Sequence, residues 1–174
     1  MNRKKYDFQS ERLIFRNLRI QDSELILSWR NTARILSVSR NKSIITVENH
    51  KKWFHSTRES RHDYLFLDKY NGEPIGVISL EKNNLNSQDL NSFELSKYIG
   101  NTNYLGKGIA YEATKTSLNY FKNKEIVEFF YSITQIDNVI NIKLNEKIGF
   151  KIEDFPDYLN YDSSAWVYMK MEIK

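Results

Sequence analysis

The chain contains no cysteine among its 174 residues. Disulfide bonds, thiolate metal sites and a cysteine nucleophile are therefore excluded. Long apolar runs are also lacking, because no stretch approaches the roughly 18 apolar residues that a membrane-spanning helix requires. The first six residues are basic, but no apolar segment follows them as it would in a signal peptide. These absences predict a cytoplasmic protein with no membrane partner.

A strong excess of one charge is lacking as well. The chain has 26 Lys and Arg against 22 Asp and Glu, which gives a net charge of +4. This mild basic excess suits an anionic small ligand, but the sequence has no basic stripe with interleaved aromatic residues, so it does not favour nucleic-acid binding. Hydrophobic residues make up 40% of the chain, enough for a packed core and too many for disorder. The length predicts one domain, residues 1–174.

Periodic patterns predict an α/β fold. Alternation of apolar and polar residues predicts seven strands, at residues 11–19, 63–68, 74–80, 93–99, 126–134, 151–153 and 166–173. Helical spacing predicts four helices, at residues 23–31, 44–54, 110–121 and 138–149. The order is β-α-α-β-β-β-α-β-α-β-β, which indicates a mixed, mostly antiparallel sheet. A helical crossover precedes strand 126–134, so we expect that strand to lie parallel to strand 93–99.

Two glycines, Gly106 and Gly108, stand where strand 93–99 turns into helix 110–121. Glycine allows a close approach of the main chain to a ligand, and the first amides of a helix have no intrahelical partner. Together with the helix dipole, this predicts a phosphate or diphosphate site. A Rossmann fingerprint is excluded because Tyr111 stands in place of its third glycine, and no Gly-Lys-Ser/Thr of a Walker A loop is present. By itself, the turn is equally compatible with a tight entry into a helix.

The segment from Gly106 to Ala110 resembles the acetyl-CoA pyrophosphate loop of the GNAT N-acetyltransferases, whose pattern is Arg/Gln-x-x-Gly-x-Gly/Ala. Leu105 stands at the Arg/Gln position, so one side-chain contact to phosphate is missing. A second segment, residues 138–150, resembles the family's Asn-x-x-(Ala/Ser)-x-x-Leu-Tyr-x-Lys-x-Gly-Phe ending. Two motifs in the right order are more specific than either one, and the resemblance covers residues 11–173.

The resemblance implies the GNAT fold and an acetyl-CoA-dependent N-acetyltransferase that needs no metal and no covalent enzyme intermediate. It places the thioester along strand 93–99, which in the family splays away from the next strand and opens a slot for the pantetheine arm. The cofactor-binding residues that it implies are Tyr98, Ile99, Leu105, Gly106, Lys107, Gly108, Ile109, Ala110, Asn138, Asn141 and Lys147.

Two positions are candidates for the catalytic chemistry. An amine is mostly protonated at neutral pH, so a base helps; Glu94 is the candidate, although it could also be a strand-edge carboxylate in water. Asn145 stands where the family carries a tyrosine that protonates the leaving thiolate, and an amide cannot act as an acid. Water or Asn141 could help the thiolate to leave, or Tyr104 or Tyr131 could supply the proton.

Candidate substrate residues are Trp29, Arg30 and His50, with core packing, solvation and a packed or surface position as their structural alternatives. Segments 28–31 and 44–54 are similar to the GNAT branch that acetylates the 4-amino group of nucleotide-linked amino sugars in pseudaminic acid biosynthesis, and also to ribosomal-protein alanine acetyltransferases. A nucleotide sugar would bring a diphosphate to the cations Arg30, Arg34, Arg40 and Lys42.

We therefore expect a small-molecule amine acceptor, for example a nucleotide sugar, and a monomer or homodimer. Acetylation of a protein N-terminus and a catalytically weak acyl-CoA-binding module remain as alternatives.

Overall fold

The computed structural model describes residues 6–86 and 91–173. Within these ranges, eight strands form one sheet in the order β1-β2-β3-β4-β5-β6-β8-β7. The strands are β1 (Phe8–Gln9), β2 (Leu13–Asn17), β3 (Arg61–Asp68), β4 (Pro74–Lys82), β5 (Ser92–Ile99), β6 (Phe129–Gln135), β7 (Lys151–Glu153) and β8 (Trp166–Glu172). All neighbouring pairs are antiparallel except β5 and β6, which are parallel, as the crossover predicts.

Five α-helices cover the sheet in the described ranges: α1 (Ser23–Arg30), α2 (Ala33–Ser37), α3 (Val47–Ser56), α4 (Ile109–Lys122) and α5 (Val139–Ile148). Thr46 caps α3, since its side chain accepts a hydrogen bond from the Asn49 amide, as expected from its hydroxyl at that position. Gly149 ends α5 with a φ of +122°. The mixed α/β sheet predicted from the sequence is confirmed.

The core has a separate hydrophobic cluster on each side of the sheet. The larger cluster packs α4 onto the strands through Ile109, Ala113, Leu118 and Phe121. A second cluster packs α1 and α3 onto β3 and β4. A third, aromatic cluster lies where Leu159, from the loop before β8, packs on β6 and β8. The two helical layers therefore hold β4 and β5 from opposite sides.

Several predicted boundaries were wrong. Strand β1 and helix α2 were missed, because elements of two and five residues carry too little of a period to be recognised. Strand β6 begins at Phe129 rather than Ile126, which is exposed. Asp22 occupies the N-cap position of α1 but makes no capping bond; instead its carboxylate accepts from Arg16 and from the Arg19 amide. Part of the predicted loop 83–91 lies outside the described residues.

The parallel pair forms only over a short distance. β5 and β6 are in register from Ser92 and Phe129 to Glu94 and Tyr131, and no pairing follows. Beyond that point β5 remains paired with β4 up to Ile99, and β6 remains paired with β8 up to Gln135. Each strand thus follows its own antiparallel neighbour, and the sheet opens between them. This is the splay that the resemblance implies.

Candidate active site

A cleft of about 820 Å³ runs through the opening between β5 and β6. Residues 95–99 of β5 and 132–134 of β6 form its two edges. The start of α4 and residues of α5 line one end, and residues of α1, α2 and α3 line the other. This volume is typical of a site for a small ligand or cofactor. The cleft therefore connects the glycine turn with the helices that carry the candidate substrate residues.

Beyond Glu94 the main chain of β5 is not paired with β6, and at the end of the strand Ile99 O accepts from Arg34 Nη2 at 2.7 Å. The Gly100 amide donates to Ile75 O at 2.8 Å, and the register pairs Tyr98 with Val77. Hydrogen-bonding direction alternates along an antiparallel ladder, so the main chain of Tyr98 points to β4 while that of Lys97 and Ile99 points to the opening. Of these two predicted cofactor residues, Ile99 thus directs its amide to the opening and Tyr98 directs its amide to β4. Its side chain still lines the cleft.

The glycine turn has the backbone geometry of an anion cradle. Gly106 and Gly108 have φ angles of +71° and +72°, in the left-handed region that favours glycine. Both residues are exposed, and no atom lies within 4 Å of where a Cβ of Gly106 would be. Gly108 is the N-cap of α4, so the amides of the first turn, starting at Ile109, point to open space. These residues fit a diphosphate.

The side chains at the glycine turn differ in where they lie. Leu105 and Ala110 line the cleft, whereas the Ile109 side chain is buried in the core, so Ile109 can offer only its amide to a ligand. Lys107 is exposed, with its Nζ 5.7 Å from the centre of the Tyr104 ring. Its ammonium group is free to move towards an anion on the turn.

A clamp that the sequence did not predict fixes the start of α4. Arg12, in the turn between β1 and β2, donates from Nη1 to Lys107 O at 3.0 Å and from Nε to the Glu112 carboxylate at 2.6 Å. Glu112 also accepts from Ser10 Oγ, and these bonds keep its pKa below the usual value despite partial burial. The Arg12 guanidinium therefore lies beside the glycine turn, where Leu105 stands at the Arg/Gln position of the family pattern.

Helix α5 contributes two asparagines to the cleft wall, Asn138 and Asn141. The Asn138 side chain accepts from the Asn141 amide and so caps the helix. Asn141 donates from Nδ2 to Thr134 Oγ1 at 2.8 Å, which ties α5 to the edge of β6. Lys147 is exposed and lies over the Tyr111 ring at 4.9 Å, outside the cleft wall. The structure thus brings two of the three predicted α5 residues to the cleft.

Glu94 lies at the point where β5 and β6 separate, next to the cleft wall but not part of it. Its side chain is 12% exposed and pairs with Arg40, which also donates to Tyr161 Oη at 2.7 Å. Burial raises the pKa of the Glu94 carboxyl, and the charge of Arg40 opposes this rise only in part. The alternative of a carboxylate in water is therefore wrong, because the group is largely removed from solvent.

Asn145 is fully buried and does not line the cleft. Its Oδ1 accepts a hydrogen bond of 2.7 Å from Lys97 Nζ, and Lys97 does line the cleft. A direct role of Asn145 in the reaction is therefore not supported, because a neighbouring amine stands between its side chain and any ligand. Burial lowers the pKa of Lys97 to about 7.

Two buried polar atoms without a hydrogen-bond partner belong to predicted substrate residues that line the cleft: Arg30 Nη1 and His50 Nε2. Arg30 donates from Nη2 to Asn41 O. Ser23 Oγ donates to Ile20 O, so it accepts from His50 Nδ1 at 3.1 Å, and this assigns a lone pair to Nε2. Burial lowers the pKa of His50, which favours this neutral form. The two atoms are an available donor and an available acceptor.

Trp29, the third predicted substrate residue, is not part of the cleft wall. Its indole packs against Gly100, where a Cβ would come within 1.9 Å of the ring. Core packing therefore accounts for Trp29, and Gly100 is required for the close approach of α1 to the end of β5.

The floor of the cleft near α3 is a network of ion pairs. Asp63 is 1% exposed and accepts from Arg58, from Arg61 Nε at 2.8 Å and from Ser79 Oγ at 2.5 Å. Arg61 also pairs with Glu81 at 2.5 Å. These residues lie on β3, on β4 and in the turn after α3, and the contacts of Asp63 with β4 were not predicted from the sequence. Among the described residues, no group of three or more His, Asp or Glu side chains could hold a metal ion.

Three residues in or beside the cleft were not predicted from the sequence: Lys97, Arg12 and Arg61. A signal existed for Lys97, because period-two alternation places it on the same face of β5 as Phe93 and Leu95, which are buried. A lysine on an inward face is unusual and could have been identified.

In the described residues, no helix is long and apolar enough to cross a membrane.

Comparisons with known proteins agree with the geometry. Residues 12–151 match the family of acetyltransferase (GNAT) domains. The chain is 28% identical over 144 residues to an uncharacterised protein of Methanocaldococcus jannaschii; the match covers 82% of this chain but only 29% of that relative, so the chain spans less than a third of its length.

Two solved structures have a similar fold. A ribosomal L7/L12 α-N-protein acetyltransferase in complex with coenzyme A has a TM-score of 0.76 and 15% identity, with 94% of this chain and 96% of that chain covered. A spermidine N-acetyltransferase from Vibrio cholerae, in complex with CoA and spermine, has a TM-score of 0.78 and 19% identity, with the same coverage. The family match covers most of the chain, so the chain belongs to the GNAT acetyltransferase family.

Proposed function

We propose that this enzyme transfers the acetyl group of acetyl-CoA directly to the primary amine of a small, anionic acceptor, such as the 4-amino group of a nucleotide-linked amino sugar. The observation that carries this proposal is the cleft itself, which joins a glycine turn suited to a diphosphate with a wall rich in arginine. Acyl donor and acceptor would meet at the opening between β5 and β6.

The donor end supports acetyl-CoA through main-chain groups. The free amides at the start of α4 would bind the pyrophosphate, and the unpaired edge of β5 would pair with the pantetheine arm. The amides of Lys97 and Ile99, which point to the opening, could polarise the thioester carbonyl as an oxyanion site does. Holding amine and thioester together is worth on the order of 7–11 kcal/mol of the barrier.

The acceptor end supports an anion rather than a polycation. Arginines 30, 34, 40 and 61 line the cleft, and Arg30 Nη1 has no partner. The two carboxylates among the described lining residues, Asp63 and Glu81, are both bound by Arg61. A polyamine would find no free carboxylate there, whereas a phosphate or carboxylate would find an unpaired guanidinium group.

Glu94 is the proposed base, acting directly or through a water molecule. Its raised pKa would make it a stronger proton acceptor than an ordinary glutamate. The pairing with Arg40 holds it at the point where the two strands part.

The test is release of CoA from acetyl-CoA in the presence of three acceptors: a UDP-linked 4-amino sugar, spermidine, and a peptide with an N-terminal alanine. We expect turnover with the sugar nucleotide and much less with the other two. Preference for the peptide would favour the alternative of a protein N-terminal acetyltransferase. Binding of acetyl-CoA with no turnover on any amine would favour a weak acyl-CoA-binding module, and no binding would refute the function altogether.

Arg30→Gln tests the acceptor end separately. We expect about a tenfold loss of kcat/KM for the anionic acceptor, because a charge-assisted hydrogen bond is lost, with an unchanged Kd for acetyl-CoA. Arg19→Gln removes an exposed cation outside the cleft and is the matched control. Equal losses in both variants would show that net charge, and not Arg30, determines acceptor binding.

A further inference from the structure

Lys97 is a half-buried lysine with a single polar partner in the described structure. It lies on β5 where the strand is no longer paired with β6, and its side chain lines the cleft. Its Nζ donates to Asn145 Oδ1 at 2.7 Å, and it forms no ion pair with any described carboxylate. An ammonium group in such a place is costly, because burial penalises the charged form. Packing alone does not explain why a lysine stands there.

The surroundings of Lys97 are uncharged on every side. β4 places Ile78 opposite it in the register, and α5 supplies Asn145. α4 and β6 contribute Ala110, Ala113, Ser132 and Thr134 to the same cleft wall. Asp63, Ser79 and Glu81 belong to the other face of the sheet, where Ser79 pairs with Ser96 rather than with Lys97. The ammonium group therefore has room for an anionic partner that comes from the ligand.

The other candidate proton donors are directed elsewhere. Tyr104 Oη donates to Glu73 at 2.9 Å and lies near Asp68, at the β3–β4 turn. Tyr131 is 4% exposed, packs among aromatic rings beneath Leu159 and does not line the cleft. Burial and nearby negative charge raise the pKa of Tyr131, which makes it a poorer acid. Lys97 is the acid that the cleft presents beside the unpaired edge of β5.

We propose that the Lys97 ammonium group, held by Asn145, lies at the sulfur of the acyl donor and protonates the thiolate as it leaves. This rests on the proposed function, since it places the thioester along β5. Lys97 is then a catalytic residue, and Asn145 is a positioning residue that keeps Nζ directed at the opening.

The step balances as follows. The acceptor nitrogen attacks the thioester carbonyl carbon and a C–N bond forms; the C–S bond then breaks, and its electron pair leaves on sulfur. Sulfur takes a proton from Lys97 Nζ, which gives the free thiol. The acceptor nitrogen gives up its surplus proton to Glu94 or water, and Lys97 is reprotonated from solvent. A pKa of about 7 lets Lys97 both hold and donate a proton near neutral pH.

The experiment compares binding of CoA with binding of desulfo-CoA, which lacks the sulfur, by calorimetry at pH 6, below the pKa of Lys97, where its ammonium form predominates. We expect the wild-type protein to bind CoA about tenfold more tightly, because the ammonium group donates a charge-assisted hydrogen bond to the sulfur and finds no acceptor in desulfo-CoA. In Lys97→Met the two ligands should bind equally. Lys107→Met removes an exposed cation of the glycine turn instead, and should weaken both ligands by the same factor.

Each outcome decides between the two proposals. Equal binding of the two ligands by the wild-type protein would overturn the role of Lys97 and leave the proposed function intact. A preference for CoA that persists in Lys97→Met would overturn it as well. Failure of the wild-type protein to bind either ligand would refute the proposed function instead.

A second measurement is independent of any ligand. Because the pKa of Lys97 is lowered in the folded state, the unfolded chain binds more protons, and stability should rise with pH between about 7 and the ordinary lysine value of about 10.4. Lys97→Met should remove this rise. An identical pH dependence in both proteins would show that Lys97 is not held in an apolar site, and would overturn its proposed role as an acid near neutral pH.

Discussion

The two ends of the cleft offer different kinds of binding group. The donor end is main chain: the turn at Gly106 and Gly108, the free amides of α4 and the unpaired edge of β5. The acceptor end is side chains, paired across long distances in the sequence, such as Arg40 with Tyr161. Main-chain sites tolerate many side-chain changes but depend on conformation, whereas side-chain networks depend on every partner. The donor end should therefore fail through backbone changes and the acceptor end through single side chains.

This difference also suggests how the family can change substrate. A diphosphate is bound by amides that every sequence possesses, so only the glycines must be kept at the turn. The acceptor end can be rebuilt by replacing a few charged residues on α1 to α3.

The largest effect should come from Asp63→Ala at the acceptor end. Asp63 is buried and neutralises Arg58 and Arg61, so its loss leaves Arg58 without its carboxylate partner and Arg61 with Glu81 alone. Breaking a buried pair costs about 3–5 kcal/mol, which urea denaturation would measure. Glu48→Ala breaks an exposed pair with Lys52 and should cost no more than about 0.5 kcal/mol. Equal costs would mean that the floor network contributes no more than a surface contact.

Glu94→Gln lies between the two ends and should lower kcat about a hundredfold near neutral pH, since a general base is lost. In the wild-type protein the rate should fall as pH drops through the raised pKa of Glu94, because protonation removes the base. In Glu94→Gln the rate should no longer show this fall with decreasing pH. It should approach the wild-type rate at high pH, where the amine is already unprotonated. Glu81→Gln, which changes the residue opposite Glu94 on β4, should keep the wild-type fall in rate at low pH. A uniform loss at all pH values would exclude Glu94 as the base.

At the donor end, Gly108→Val should weaken acetyl-CoA binding tenfold or more, because a side chain would occupy the space in front of the helix amides. The positive φ also costs about 1–2 kcal/mol of stability for any other residue. Gly72→Val is a matched control, since Gly72 has φ +75°, open surroundings and a place in the β3–β4 turn far from the cleft. Both variants should lose similar stability, and only the first should lose affinity. Parallel losses of affinity would indicate a general effect of strain.

The same division explains what could be predicted from the sequence. The glycine turn, the splay after Glu94 and the parallel β6 follow from local patterns or from the family motif, and the structure contains them. The Arg40–Glu94 pair and the Arg12 clamp join residues that are distant in sequence, so no sequence window could reveal them. Lys97 is an intermediate case. Its inward position on β5 could be predicted from the alternation of the strand, but its hydrogen bond to Asn145 could not.

The smallest effect should come from Arg12, whose side chain reaches the donor end from the turn between β1 and β2. Its guanidinium holds Lys107 O and lies 3.7 Å from where a Cβ of Gly108 would be, so its charge acts on whatever the turn binds. Arg12→Gln keeps a donor but removes the charge, and we expect about a threefold weaker Kd for acetyl-CoA at low salt, as for other exposed ion pairs. The difference should disappear in high salt, because screening weakens exposed charges first. A loss as large as that of Gly108→Val would contradict the comparison, since the donor end would then depend on a side chain as much as the acceptor end does.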